Sequence, residues 1–430
     1  MDVEGFNPWW QGEPDEQFVA WQASPIHWIP KIIDKIHITN SYNLYFLTGP
    51  RQVGKTTALK ILIQKELEKK RDPHSILYIQ CDEILDFKEL GDVLDKYIKS
   101  KNARGITRSL IVLDEIPTVR EWWRAIKARI DAFQFKNDTI IITGSSSIEV
   151  LQERERFPGR RGDGVDLVMY PLTFGEYVDL HVKAIVHQDL DLTKDVNDIV
   201  QPNLVYAGKI DTLFQDYLIT GGFPLPIKDY LEARKIKVGT RHTYMNWIQG
   251  DVRKAGKNEM LMKEILGFIL MARCSPVSWL GISKNTSVNS PHTAQSYIET
   301  LEKLHVVTIL PFLSQNGTIN NKKNKKIHVI DPFIYAVLQE YTGVKILEET
   351  VVESIVASHL SRGYNTYYWK NGSEVDAIAL VNGRQIGFEV KWGYKQWRQP
   401  IHLKKTYLLT KDLLPTFMAT IQFPPVTLPS

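Results

Sequence analysis

One stretch constrains this chain more than any other: residues 43–57, NLYFLTGPRQVGKTT. An apolar run meets Gly49-x4-Gly54-Lys55-Thr56 and then opens into helix-forming residues. That is the strand–loop–helix context of a phosphate-binding loop. Each part has a chemical reason. The backbone of Gly49, Pro50, Arg51, Gln52, Val53, Gly54, Lys55, Thr56 and Thr57 can wrap phosphates, and the helix N-terminus adds a positive dipole end. Glycine lets the backbone come close. Lys55 supplies charge to the β- and γ-phosphates, and the Thr56 hydroxyl ligates Mg²⁺. ATP with Mg²⁺ is the expected cofactor pair.

A second apolar run, SLIVLDE, ends in Asp114 and Glu115. Its hydrophobicity places it inside a parallel sheet, and open parallel sheets bind ligands where strands end. Asp114 is expected to hold the Mg²⁺ shell and Glu115 to orient or deprotonate the attacking water. The next strand, residues 139–143, leads into Gly144-Ser145-Ser146-Ser147. A hydroxyl there, Ser145 first, can contact the water or γ-phosphate; helix-capping serines in a turn are the plainer alternative. FPGRRGDG then places Arg160 and Arg161 in a Gly-flanked loop. One of them is a candidate arginine finger acting on a neighbouring subunit, against the alternative of a basic surface loop.

Strands alternate with amphipathic helices over residues 26–180, which predicts an α/β core with a parallel sheet covered on both faces. Residues 1–25 form an aromatic arm carrying Trp9, Trp10 and Trp21. Residues 181–257 have helical periodicity and are expected to form a lid. Residues 258–335 give three helices and two strands, the order of a winged helix-turn-helix. In the third of those helices Ser290 is the N-cap and Pro291 the first helical residue. Lys322, Lys323, Lys325 and Lys326 lie between the two strands, where lysines suit phosphate contacts that position a protein without reading sequence. Residues 340–423 form a further α/β domain.

Composition excludes several classes. Net charge is only +4, so any nucleic-acid surface must be local. The two cysteines, Cys81 and Cys274, make no disulfide framework and have no metal-ligand spacing. No run of about 20 apolar residues argues for a membrane span. The N-terminus has no apolar signal core, so a cytoplasmic location is expected.

In the last domain Asn382-Gly383 between alternating strands signals a two-residue hairpin turn. Counting back from that turn places Asp376 opposite Glu389 and Glu374 opposite Lys391, all on one face. Directly opposed carboxylates are destabilising. A divalent cation, Mg²⁺ or Mn²⁺, between Asp376 and Glu389 would remove the penalty, with Lys391 assisting and Glu353 on the preceding helix completing the shell. The alternative is a surface hairpin with one favourable pair, Glu374–Lys391.

The ordered set GPRQVGKTT, LDEIP, TGSSS, PGRRGDGVDLVMYPLTFGEY and GGFP resembles the prokaryotic AAA+-type ATPases abundant in archaea, in the branch with a winged helix and a C-terminal domain of unknown function 4143 or archaeal ATPase type. The resemblance spans roughly residues 26–420. It implies a P-loop ATPase core with a helical lid, a winged helix and a C-terminal restriction-endonuclease-like domain of the PD-(D/E)XK pattern. It also implies a homo-oligomer acting on DNA, with nucleotide state gating DNA binding or metal-dependent cleavage. A regulatory ATPase switch, with C-terminal interaction modules and no nuclease activity, is the other function the sequence allows.

Overall fold

The computed structural model describes residues 3–144, 150, 153, 155–191, 193–371, 373–393, 397, 403–424 and 427–428. They fall into two compact units, Met1–Tyr170 with Pro425–Ser430, and Pro171–Pro424.

The first unit is built on five parallel strands: β1 (Asn43–Thr48), β2 (Ile76–Gln80), β3 (Leu110–Asp114), β4 (Thr139–Thr143) and β5 (Asp166–Val168). Their spatial order is β5-β1-β4-β3-β2, and Thr427–Leu428 adds an antiparallel edge beside β5. β1, β3 and β4 are buried along their whole length. Continuous apolar runs form such strands because helices cover both faces and no side chain meets water. Lys55–Glu68, Phe87–Ala103 and Trp122–Asp131 are among the helices of this unit. Asp86 caps the second of these by accepting from the N–H groups of Lys88 and Glu89. A buried ion pair, Lys101 with Asp138, ties the end of that helix to the turn before β4.

The aromatic arm belongs to this unit and closes its exposed sheet edge. An edge strand presents unpaired N–H and C=O groups that must find partners. On β2 those partners are arm side chains. The Asn7 amide accepts from Tyr78 N–H at 2.7 Å and donates to Tyr78 C=O at 2.9 Å. Two residues back, Ile76 C=O accepts from Trp9 Nε1 at 3.3 Å and Trp10 Nε1 at 2.9 Å. Asn7 and Trp9 are almost wholly buried as a result.

The second unit begins with helices. Residues from 171 onward, the last of the span 26–180 read from the sequence as the α/β core, fall in this compact unit: the Phe174 ring lies 4.9 Å from Phe214, and Phe174 N–H donates to His359 Nε2 at 3.0 Å. Helices Glu259–Ala272, Trp279–Lys284 and Pro291–Lys303 precede an antiparallel pair, β6 (Val307–Leu310) with β9 (Lys326–Val329). Between them β7 (Phe312–Leu313) and β8 (Ile319–Asn320) leave that pair and join the C-terminal sheet. That sheet adds β10 (Thr366–Asn371), β11 (Ser373–Val381), β12 (Arg384–Lys391) and β13 (Thr406–Thr410), in the order β13-β12-β11-β10-β7-β8. Residues 258–335 and 340–423 thus both contribute strands to one sheet. Helix Glu348–Ser361 packs on β9, β11 and β12. Among the described residues no helix is long and apolar enough to cross a membrane.

Candidate functional site

The phosphate-binding loop leaves β1 and enters helix Lys55–Glu68 through left-handed backbone at Gln52 (φ 60°) and Gly54 (φ 98°). Gly49 is held at φ 144°, and a Cβ there would stand 2.2 Å from Met169 O. No other residue fits that position. Lys55 is 6% exposed, and its Nζ donates to Gly49 O at 3.0 Å and Pro50 O at 2.9 Å, so the ammonium lies over the loop that would cradle phosphates.

Strand β3 delivers the two acids beside it. Asp114 is 1% exposed and its Oδ2 accepts from Thr56 Oγ1 at 2.6 Å. Two hard oxygen donors so close fit the water-rich shell that Mg²⁺ keeps. Glu115 follows in left-handed backbone, φ 56°, and its N–H donates to Asp114 Oδ1 at 3.1 Å. A non-glycine residue in that region costs on the order of 1 kcal/mol and turns its side chain out of the strand path.

One contact at this site has no counterpart in the sequence reading. Tyr78, on β2, donates its hydroxyl to the same Asp114 Oδ2 at 2.9 Å. Lys60 Nζ lies 3.5 Å from the Tyr78 ring centroid and pairs with Asp15 of the arm at 2.8 Å. Burial pushes the Asp114 carboxyl above its ordinary range, and the bonds from Thr56 and Tyr78 pull it back. Burial lowers the Lys60 ammonium, opposed by Asp15. The sequence signal for Tyr78 is faint: one hydroxyl-tipped ring in an otherwise apolar strand.

Ser145 lies outside the described residues. Arg160 bonds to Asp131 at 2.6 Å and its side chain is 30% exposed. Arg161 bonds to Asp166 at 2.6 Å, is 13% exposed, and packs 5.1 Å from the Phe46 ring centroid. The loop that carries them pairs with the start of β1, where Leu44 N–H donates to Arg161 O. The phosphate-binding loop is at the other end of that strand.

In the second unit the structure brings together Glu353, Glu374, Asp376, Glu389 and Lys391. The hairpin register is the counted one, with Ala377 opposite Phe388 and Val381 opposite Arg384 around a turn whose Asn382 and Gly383 both have positive φ. Asp376 and Glu389 are adjacent, and Glu389 Oε2 accepts from Asp376 N–H at 3.3 Å. Two features differ from the expectation. Glu374 bonds to Lys370 instead of Lys391, which bonds to Glu389. And Lys326, expected on an exposed wing, is 1% exposed with its Nζ among these carboxylates: 2.8 Å from Glu353, 2.7 Å from Glu374 and 2.9 Å from Asp376. Lys325 is also buried, its Nζ donating to Asn321 O and Lys323 O. Of the four lysines 322, 323, 325 and 326, only Lys322 and Lys323 are exposed.

The second centre therefore does not fit a divalent ion as it stands. Asp376 Oδ1 receives Lys326 and Oδ2 receives Val390 N–H at 2.9 Å; Glu389 Oε1 receives Lys391 and Oε2 receives Asp376 N–H. Burial and then the charge of Asp376 push the Glu353 and Glu389 carboxyls up. Burial disfavours the Lys326 charge, but Glu353, Asp376 and Glu374 outweigh it and hold its pKa well above the lysine range.

Residues 41–178 match a family model described as an AAA domain, and residues 211–345 match one described as a domain of unknown function, DUF8612. The first match contains the whole phosphate-binding loop and both acids of β3, so residues 41–178 are similar to an AAA domain. The second crosses residue 257, where the sequence suggests a boundary. No curated protein matches the chain. Among solved structures, the ORC2 protein of Aeropyrum pernix in ADPNP–ADP complexes is 9% identical, with 73% of this chain and 98% of that one covered at a TM-score of 0.37. Cdc6p of Pyrobaculum aerophilum is 14% identical, with 80% and 98% covered at 0.29. RuvB of Thermotoga maritima is 13% identical, with 75% and 92% covered at 0.26.

Proposed function

We propose that the first unit binds ATP with Mg²⁺ and hydrolyses it, and that its nucleotide state governs an interaction of the second unit with DNA. The observation that carries the reading is the convergence of Lys55, Thr56, Asp114 and Glu115 where β1 and β3 end. Backbone N–H groups of residues 49–57 and the Lys55 ammonium neutralise the phosphates. Thr56 and Asp114 would hold the metal, which would supply charge neutralisation for the phosphates when bound. Glu115 orients the attacking water and takes its proton. Arg160, exposed enough to reach a second copy, is the better placed finger in a homo-oligomer; Arg161 is committed to Asp166 and Phe46. The exposed Lys322 and Lys323 are the DNA-phosphate contacts.

A second reading has a specific observation behind it. Lys326 among the carboxylates favours a regulatory ATPase switch whose C-terminal part is an interaction module without nuclease activity. Phosphate release from ATP, with and without duplex or single-stranded DNA, tests both. Turnover abolished in Lys55→Ala and in Glu115→Gln supports the ATPase. Stimulation by DNA supports the first reading, and slow DNA-insensitive turnover the second. Undiminished turnover in either folded variant overturns the site.

A further inference from the structure

We propose that Lys326 is a built-in replacement for a divalent cation: its ammonium closes the carboxylate centre of the second unit into an ionic joint, and removal of that ammonium opens the centre to a metal. The argument starts from strand parity. On β9, Lys326 and His328 share a face, and that face meets helix Glu348–Ser361: Lys326 bonds to Glu353 and His328 to Ser354. Lys326 therefore reaches the centre from a different supersecondary element than its partners. Glu353 comes from the helix, and Glu374 and Asp376 from β11. One ammonium thus ties the β6–β9 pair to the C-terminal sheet.

The chemistry of an ammonium in this place follows from simple accounting. Closely held carboxylates need a proton or a cation between them. A lysine ammonium has three donors, and here the three go to three carboxylates within 2.7–2.9 Å. The ammonium's hydrogen bonding is thereby filled, a condition under which a buried ion pair persists; the remaining charge is met by Lys370 on Glu374 and Lys391 on Glu389 and by the raised Glu353 and Glu389 carboxyls. A hard divalent ion would ask the same oxygens to converge on one point at 2.0–2.6 Å. It could do so only by expelling Lys326, whose ammonium holds that point. The cavity beside the centre, about 250 Å³, is lined by Lys326, Glu353, Asp376, Glu389 and Lys391. It has room for a hydrated ion once the lysine chain is gone.

The inference is independent of ATP hydrolysis, and its test uses the nucleotide-free full chain. Mn²⁺ is titrated while the free-ion electron paramagnetic resonance signal is followed, and melting is recorded with and without Mn²⁺. Wild type and Asp376→Asn should bind Mn²⁺ alike, because any site common to both lies elsewhere. Lys326→Met should gain about one Mn²⁺ per chain, melt lower than wild type without the ion, and recover with it. The double variant Lys326→Met/Asp376→Asn should lose the gained site. A wild-type Mn²⁺ site that disappears in Asp376→Asn overturns the proposal, since the centre then takes a metal with Lys326 present. A folded Lys326→Met that gains no site also overturns it. If that variant does not fold, the comparison of wild type with Asp376→Asn still decides, because a metal centre predicts a difference and an ammonium-closed joint predicts none.

Discussion

Replacing Asn7 by Ala should unseat the N-terminal arm and loosen the nucleotide site without touching a residue in it. Asn7 lies against an edge strand, where its amide satisfies both Tyr78 N–H and Tyr78 C=O and also donates to Val3 O at 2.7 Å. Leaving a buried polar group unpaired costs about 1–3 kcal/mol, so the two Tyr78 groups together set about 2–6 kcal/mol. The opposing term is the burial of Trp9. An indole of this kind buries roughly 150–250 Å², worth about 4–6 kcal/mol as an upper estimate. The terms are of one size, so the arm should open often instead of departing for good. Hydrogen exchange of the β2 amides reads this directly. A cost of 2 kcal/mol corresponds to about a 30-fold loss of protection at Tyr78, and water reaching an edge strand keeps the loss near that lower end. Tyr78 also holds Asp114, so ATP turnover should fall while the amides of β1 keep their protection. Asn7→Asp, which keeps an acceptor for Tyr78 N–H but turns a carboxylate toward two carbonyls, should behave like Asn7→Ala. Unchanged exchange at Tyr78 in both variants would refute the edge-strand reasoning. Increased exchange with unchanged turnover would break only the link from Tyr78 to Asp114.

Three further outcomes are expected. Mixing Arg160→Ala subunits with Lys55→Ala subunits should restore part of the ATPase activity that each lacks alone, since an arginine finger supplies ~10³–10⁵ in rate; no complementation at any ratio removes Arg160 from that role. Neutralising Lys322 and Lys323 should weaken DNA binding equally across sequences and reduce the salt slope by up to ~0.9 per lost contact, whereas Lys325→Ala should leave the slope alone; an unchanged slope in the double variant removes DNA from the wing. His328 is held neutral, its pKa pushed down to about 3 by burial and then by Lys326. A depressed histidine stabilises the fold fully above its unfolded value near 6.5 and loses that contribution as pH falls toward 3, at about 1.4 kcal/mol per pH unit. Between pH 6.5 and 5 the wild type should therefore lose about 2 kcal/mol more than His328→Asn in urea melts, and equal losses would show that the imidazole is not kept neutral.

The nucleotide site was legible in the sequence because its parts are local. Gly49 to Thr56 is one run, and Asp114 and Glu115 end one apolar strand, so spacing alone brings backbone donors, ammonium, hydroxyl and acids to one sheet end. The hairpin was legible for the same reason: a two-residue turn and a period of two fix which side chains face each other. Asn7 and Lys326 were hidden because their partners are distant in the chain. Asn7 meets Tyr78 across an edge that only the strand order β5-β1-β4-β3-β2 creates. Lys326 read as one of four lysines in a polar loop, yet β9 starts at that residue and turns it inward. Charge clustering predicts a solvated surface only while the residues remain in the loop, and one residue of strand decides otherwise. The sheet shared across residue 335 was hidden similarly, since β7 and β8 are too short to announce that they extend another sheet.

The two acid centres of this chain differ in the donors that surround them, and that difference bears on function more than the count of carboxylates does. Asp114 is almost fully buried, yet its Oδ2 is met by two hydroxyls, from Thr56 and Tyr78. Neutral donors leave the negative charge uncancelled, so the site retains its attraction for a cation and can exchange a hydroxyl contact for a metal one at little electrostatic cost. Asp376 is 8% exposed, and the groups on its oxygens are an ammonium and a backbone N–H. There an ammonium already holds the cation's place, and a metal would have to displace a cation rather than a dipole. Proximity of acids identifies both places, but the formal charge of the hydrogen-bond donors separates a centre poised to bind Mg²⁺ from one held shut. By that criterion the proposed ATP chemistry belongs to the first unit, and under the proposed ammonium joint the carboxylates of the second hold β9, the helix Glu348–Ser361 and the C-terminal hairpin in one arrangement.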